Sequence, residues 1–173
     1  MKKLVAACAA ALSLACHADT MVDWVVDNSH TGISKERAGQ YVAAAKKYAA
    51  KHHVDPILVL AVIRKETGFR ITAVSKEGAE GPMQVMPQWH REKIKGKNIK
   101  SIEGGVDIGT QVLAEYIVLA KGDVKAALRK YSGGSRTYAQ QVLNYRADLV
   151  MATRDAGRHT IAMNTPYVSK QEQ

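Results

Sequence analysis

The chain has 173 residues, enough for one domain with a real core and hardly enough for two, and 46% of them are hydrophobic, which excludes disorder over most of its length. Alanine is abundant beside one Phe and two Trp, so a core of small side chains and close helix contacts is expected. The formal net charge of +9 suits an anionic partner, whether nucleic acid, lipid or a carboxylate-bearing polymer.

Residues 1–18 read as an export signal, with Lys2 and Lys3 before an apolar run from Leu4 to Leu14 and a small-residue end. The run is too short to span a bilayer, which takes roughly 20 residues. Two processing sites compete. Cleavage after Ala18 leaves a chain starting at Asp19, the preferred reading; cleavage before Cys16 would make an outer-membrane lipoprotein, although Ser13 stands where that pattern favours leucine. Loss of this segment removes two lysines and no acid, so the charge becomes 9 − 2 = +7. Cys8 and Cys16 both lie in it, so the rest of the chain has no disulfide, Cys nucleophile or Cys zinc site. Export places the domain in the periplasm and points its basic charge at the cell envelope, away from intracellular nucleic acid.

Residues 19–33 form a lead-in segment anchored by Trp24. Ser34 is placed to cap a first helix that runs to about His53 through Ala38, Tyr41, Val42, Ala45 and Tyr48. Asp55-Pro56 launches a second helix over 56–66, with Gly68 at the stop position. Residues 70–105 are rich in glycine and proline and lack helical period, so they read as a long central loop, with room for a short β-hairpin. Helical pattern returns from Val106 to Lys121, from Asp123 to about Tyr131, and from about Thr137 to Asp155; residues 157–173 read as a loose tail. The expected fold is mainly α: one domain over 34–156, of about five to six helices around the loop.

His52 and His53 are adjacent and point about 100° apart on a helix, and no HExxH or G-x-S-x-G pattern occurs, so neither a metal site nor a serine nucleophile is expected. No cofactor is implied. Glu66 stands out because Ile63, Val62 and Val59 lie three, four and seven residues before it, so a carboxylate closes an apolar stripe. At an ordinary pKa of about 4.3 only ~0.2% would be protonated at pH 7, whereas desolvation to about 6 would bring roughly 9%. On helix position alone, a solvated glutamate paired with Lys65 or Arg70 is the weightier reading.

The residues after it reverse that weighting. The stretch "ETGFRITAVSKEGAEGPMQVMP", 66–87, resembles the signature of the soluble lytic transglycosylase family of the goose-type-lysozyme-like superfamily, E-S-x-F-x-x-x-A-x-S-x-x-G-A-x-G-L-M-Q-x-M-P. Glu66, Phe69, Ala73, Ser75, Gly78, Ala79, Gly81, Met83, Gln84, Met86 and Pro87 match. "KYSGG" and "YAQQVLNY" resemble the family's A-Y-N-x-G and Y-x-x-x-V-x-x-Y, so the likeness covers about residues 35–150. Thr67, Pro82 and Ser132 depart from serine, leucine and asparagine in the family pattern, and Ser132 leaves any sugar contact of that asparagine in doubt.

The resemblance implies a lysozyme-like fold acting on peptidoglycan glycan strands, with Glu66 as acid and then base. Ser75 and Gln84 would line the cleft and bind sugar, Met83 would pack beneath the acid, and Tyr131 would lie close to it. For Tyr145, core packing is as good a reading as a sugar contact. The product would be a 1,6-anhydromuramyl end, made without a second enzyme carboxylate. Glu77 and Glu80 are the nearby candidates for one, and either facing Glu66 would favour a goose-type muramidase. A third reading is a non-catalytic wall-binding subunit. A monomer is expected, with a secretion, conjugation or pilus apparatus or a phage particle as the partners that the small members of the family suggest.

Overall fold

The computed structural model describes residues 19–164. The export signal expected over 1–18, with both processing sites, lies outside the described residues, as does the chain beyond 164. The fold is mainly α, as expected, but with more helices: residues 19–27 (α1), Lys35–His52 (α2), Pro56–Thr67 (α3), Arg91–Ile94 (α4), Ile102–Leu119 (α5), Val124–Tyr131 (α6) and Arg136–Asn164 (α7), plus a 3-10 turn at Pro87–Trp89.

The caps follow sequence. Ser34 accepts from the Arg37 amide, and Asp55 accepts from the Ile57 amide with Pro56 as the first helical residue. Gly68 closes α3 in the left-handed conformation. Helix α3 is apolar on every side: Leu58 through Ile63 are all buried, because α2 and α7 cover it from two directions. Helix α2 packs in turn on α5, α5 on α6 and α6 on α7, so the other long helices close around the one that carries Glu66. Fully buried Ala38, Ala44, Ala45 and Ala61 let these axes approach closely, as the alanine-rich composition implied.

The lead-in segment is a helix. Met21, Trp24 and Val25 face inward, and the Trp24 ring meets Phe69 edge-on at 6.3 Å. This seats α1 under the chain that leaves α3. The last helix runs past the expected stop at Asp155, through Gly157, to Asn164.

The central loop contains isolated bridges, Val74 with Glu80 and Glu80 with Val85, in place of a hairpin. Helix α5 starts at Ile102, ahead of the expected Val106, because the Ser101 hydroxyl caps it and the glycines read as breakers lie inside it. Gly105 gives the Pro82 ring its seat, since a Cβ there would sit 2.4 Å from Pro82 Cδ. The Pro82 departure is thereby accommodated. Asp107 on α5 binds Lys51 at 2.9 Å, His52 at 2.7 Å and Lys97 at 2.6 Å. Burial alone would raise its pKa, but these three partners outweigh that and hold it at about 2. The cluster pins the 95–101 loop against α2 and α5, beneath the Gly81–Gln84 turn.

Candidate active site

Glu66 sits in the last turn of α3, half-buried, at the place where the helix dipole disfavours negative charge. Its pKa is raised from 4.5 to about 7, by burial first, against the Tyr138 hydrogen bond and the Lys65 charge, which both lower it. About half of these carboxyls carry a proton at pH 7. Val62 and Ile63 are fully buried one turn back, and two tyrosines complete the dry wall.

The Tyr138 hydroxyl, from α7, donates to Glu66 Oε1 at 2.6 Å. The Tyr138 ring stacks on Tyr131 with centroids 6.5 Å apart, and the Tyr131 hydroxyl donates to the Met83 carbonyl at 2.7 Å. Both phenols have pKa values pushed well above the usual tyrosine value, by burial first and then by the Glu66 charge, so they stay neutral donors. Because Tyr138 occupies Oε1, the acid proton belongs on Oε2, the oxygen left for a ligand.

The loop is held against this pair by backbone geometry. Phe69 and Gln84 both adopt positive φ, at 69° and 49°, a conformation that costs about 1–3 kcal/mol for a residue with a side chain and persists only when its surroundings enforce it. At Phe69 the Tyr41 hydroxyl holds the carbonyl at 3.0 Å, with Trp24 and Tyr41 edge-on to the ring. At Gln84 the side-chain amide donates to the Ala73 and Gly81 carbonyls at 3.2 and 3.0 Å. The Thr67 hydroxyl donates to the Pro82 carbonyl at 3.0 Å, tying the end of α3 to the same turn.

Of the expected site residues, the structure gathers Glu66 and Tyr131, with the Met83 backbone and Gln84 beside them. The Met83 side chain is fully buried, packed where a Cβ on Gly109 would sit 2.5 Å away, so it supports the site and is not itself available to a ligand. The Ser75 hydroxyl accepts from the Glu77 and Ala79 amides at 3.2 and 3.1 Å, which makes it a turn-former within the loop. Tyr145 lies under the Arg64 guanidinium, 5.0 Å from its ring centroid, and packs against the core. Ser132 turns back on the Arg129 carbonyl. Tyr138, the first tyrosine of "YAQQVLNY", is the site residue that sequence reasoning misses: the same motif holds the signal, but it points to Tyr145 as readily.

Glu80 pairs with Lys100 at 3.1 Å and Glu77 is exposed on the loop. Among the described residues no carboxylate is near enough to influence the acidity of Glu66, and no cluster of His, Cys, Asp or Glu could hold a metal ion.

The family model described as Transglycosylase SLT domain matches residues 43–149, more than half of the chain. The membrane-bound lytic murein transglycosylase C of Yersinia pestis (strain Pestoides F) is 29% identical over 117 residues, covering 58% of this chain and 33% of that protein. Its namesake from Yersinia pseudotuberculosis serotype O:1b (strain IP 31758) matches to the same extent. The chain thus spans about a third of the length of these relatives. An inactive mutant of lytic transglycosylase Slt from Pseudomonas aeruginosa superposes with a TM-score of 0.51 at 17% identity, over 69% of this chain and 24% of that one, a likeness of fold. Glu66, the loop and both tyrosines lie inside the matched segment; α1 lies outside it.

Proposed function

The chain belongs to the transglycosylase SLT domain family, and on that premise we propose that it cleaves the β-1,4 bond between N-acetylmuramic acid and N-acetylglucosamine in peptidoglycan. Glu66 Oε2 gives its proton to the glycosidic oxygen as that bond breaks. The resulting carboxylate then takes the proton of the muramyl 6-hydroxyl, whose oxygen bonds to the anomeric carbon. The net result is a 1,6-anhydromuramyl end, and the glutamate is returned to its starting state without water.

The observation that carries this reading is a half-buried carboxyl whose pKa burial raises to about 7, donated to by a neutral phenol, with no carboxylate of the described residues among the groups that shift it. One group that must act as acid and then as base is best served by a pKa close to the working pH. A paired-carboxylate hydrolase would need a second acid within about 5–9.5 Å to serve as nucleophile or to activate water. Neither Glu77 nor Glu80 is among the groups that shift the Glu66 carboxyl, and Glu80 pairs with Lys100, which supports the single-carboxyl reading.

The names of the Yersinia relatives support the same substrate, since murein is the wall polymer. The basic net charge suits the carboxylates of its peptides. Export through residues 1–18 would bring the domain to the wall, where its work would be local opening for a secretion, conjugation or pilus apparatus or for a phage particle.

The mass of the released fragments tests the reaction. Digestion of purified sacculi should give muropeptides one water lighter than the corresponding hydrolytic products. Fragments of hydrolytic mass alone would make the protein a muramidase, and intact sacculi would leave the wall-binding subunit.

A further inference from the structure

Beyond the Tyr138–Tyr131 wall lies a groove that the cleavage step does not use. Gln84, Met86, Trp89, His90, Lys130 and Tyr131 line it. Tyr131 is common to both: its ring stacks on the tyrosine that holds Glu66, and it is also one of the residues that line this groove.

Trp89 is 70% exposed, while the other tryptophan, Trp24, is 8% exposed in the core. Among the exposed large hydrophobics of the described residues it is the aromatic one; the rest are Val74, Val118, Leu119 and Met151. The fold gains little from an indole in that position, yet it fixes the indole's base. Pro87 opens the 3-10 turn, and the Trp89 amide donates to the Met86 carbonyl at 3.2 Å. A rigidly mounted, solvent-facing indole beside a groove with polar groups is an amphipathic platform awaiting a ligand of the same character.

A sugar ring has that character, with an apolar C–H face and a rim of hydroxyls. The hydroxyls would find the Gln84 amide oxygen, His90 and the Tyr131 rim, while the Lys130 ammonium would meet an acidic substituent. Because Tyr131 is shared between this groove and the wall beside Glu66, the strand that is cut is the ligand argued for here.

We propose that Trp89 forms a glycan-stacking subsite that grips a sugar unit of the strand away from the scissile bond. The inference rests on the wall-glycan substrate proposed above. Binding remote from the reacting atoms stabilises ground and transition states equally, so its loss raises KM and spares kcat.

The test uses soluble glycan strands stripped of peptide. Added to the E66Q chain, they should shift and quench tryptophan emission, a response absent in E66Q/W89F, where only the buried Trp24 remains. In the otherwise unaltered chain, Trp89→Ala should raise KM for these strands about tenfold and leave kcat within about twofold, with Trp89→Tyr recovering most of the loss. Melting temperatures of W89A and W89Y should equal that of the parent, and that of E66Q/W89F should equal that of E66Q. Strands that are cleaved with unaltered KM by W89A, and that leave the indole emission untouched, would overturn the subsite while the proposed activity stands; the indole would then belong to a protein partner. Failure of the parent chain either to bind or to cleave the strands would sink the activity, and the subsite with it.

Discussion

Replacing Glu66 by glutamine is expected to abolish wall cleavage and, above pH 7, to leave a protein at least as stable as the parent. Loss of a positioned acid-base group costs about 10²–10⁴-fold in rate, and here one carboxyl serves both proton transfers. Glutamine keeps the shape and an oxygen for the Tyr138 hydroxyl to bond, but it has no proton to give.

The stability half of the expectation follows from the same raised pKa. A carboxyl at about 7 in the folded chain and near 4.5 unfolded binds more protons when folded throughout that interval, so its contribution to stability falls as pH rises through it. At about 1.36 kcal/mol per pH unit, the penalty above pH 7 has an upper limit of about 3 kcal/mol. Urea melts of parent and E66Q at pH 5 and pH 8 measure it. The variant should gain relative to the parent at the higher pH. A variant that clears sacculi like the parent would remove Glu66 from the mechanism.

The second large effect is expected at Gly81. Its φ is +75°, and an added Cβ would lie 2.1 Å from the Ile99 carbonyl oxygen, a backbone atom held by the clamped 95–101 loop. The left-handed conformation costs an alanine about 1–2 kcal/mol and the forced displacement about 1–3 kcal/mol more, so Gly81→Ala should lose about 2–5 kcal/mol. The shift travels along a short path. Gly81 accepts from the Gln84 side chain, Met83 two residues on accepts from Tyr131, and Tyr131 stacks on Tyr138. A misplacement of about 1 Å at the acid can cost about 10²-fold in rate, so activity should fall with stability. Gly78→Ala is the control, because Gly78 has the same sign of φ but open space around it. Equal stability of the two variants, read from urea melts, would remove the Ile99 contact from the account.

Caps, the apolar stripe and the fixed spacing of the 66–87 motif are local features, so α2, α3, α6 and the acid are legible in the residues themselves. Met21, Trp24 and Val25 stand at helical spacing too, but so short an apolar run among aspartates does not declare a helix. Gly104 and Gly105 read as breakers because the reason for them, Pro82 and the Asn98–Ile99 backbone, comes from elsewhere in the chain.

Tyr138 and Tyr145 are the sharpest case. Seven residues is nearly two turns, so both project from the same face of α7, about 10 Å apart along its axis. The docking of α7 on α3 decides which one meets Glu66 and which meets Arg64. Met83 and Ser75 carry the same lesson in smaller form, since motif membership does not say whether a side chain faces a ligand or holds the loop that does.

Burial keeps the Glu66 carboxyl half protonated near neutral pH. Its titration can be followed directly through the side-chain carboxyl ¹³C resonance that disappears in E66Q. The midpoint should lie near 7, and higher still in Tyr138→Phe, where a bond favouring the charged form is lost. A midpoint near 4.5 in the parent chain would contradict the account.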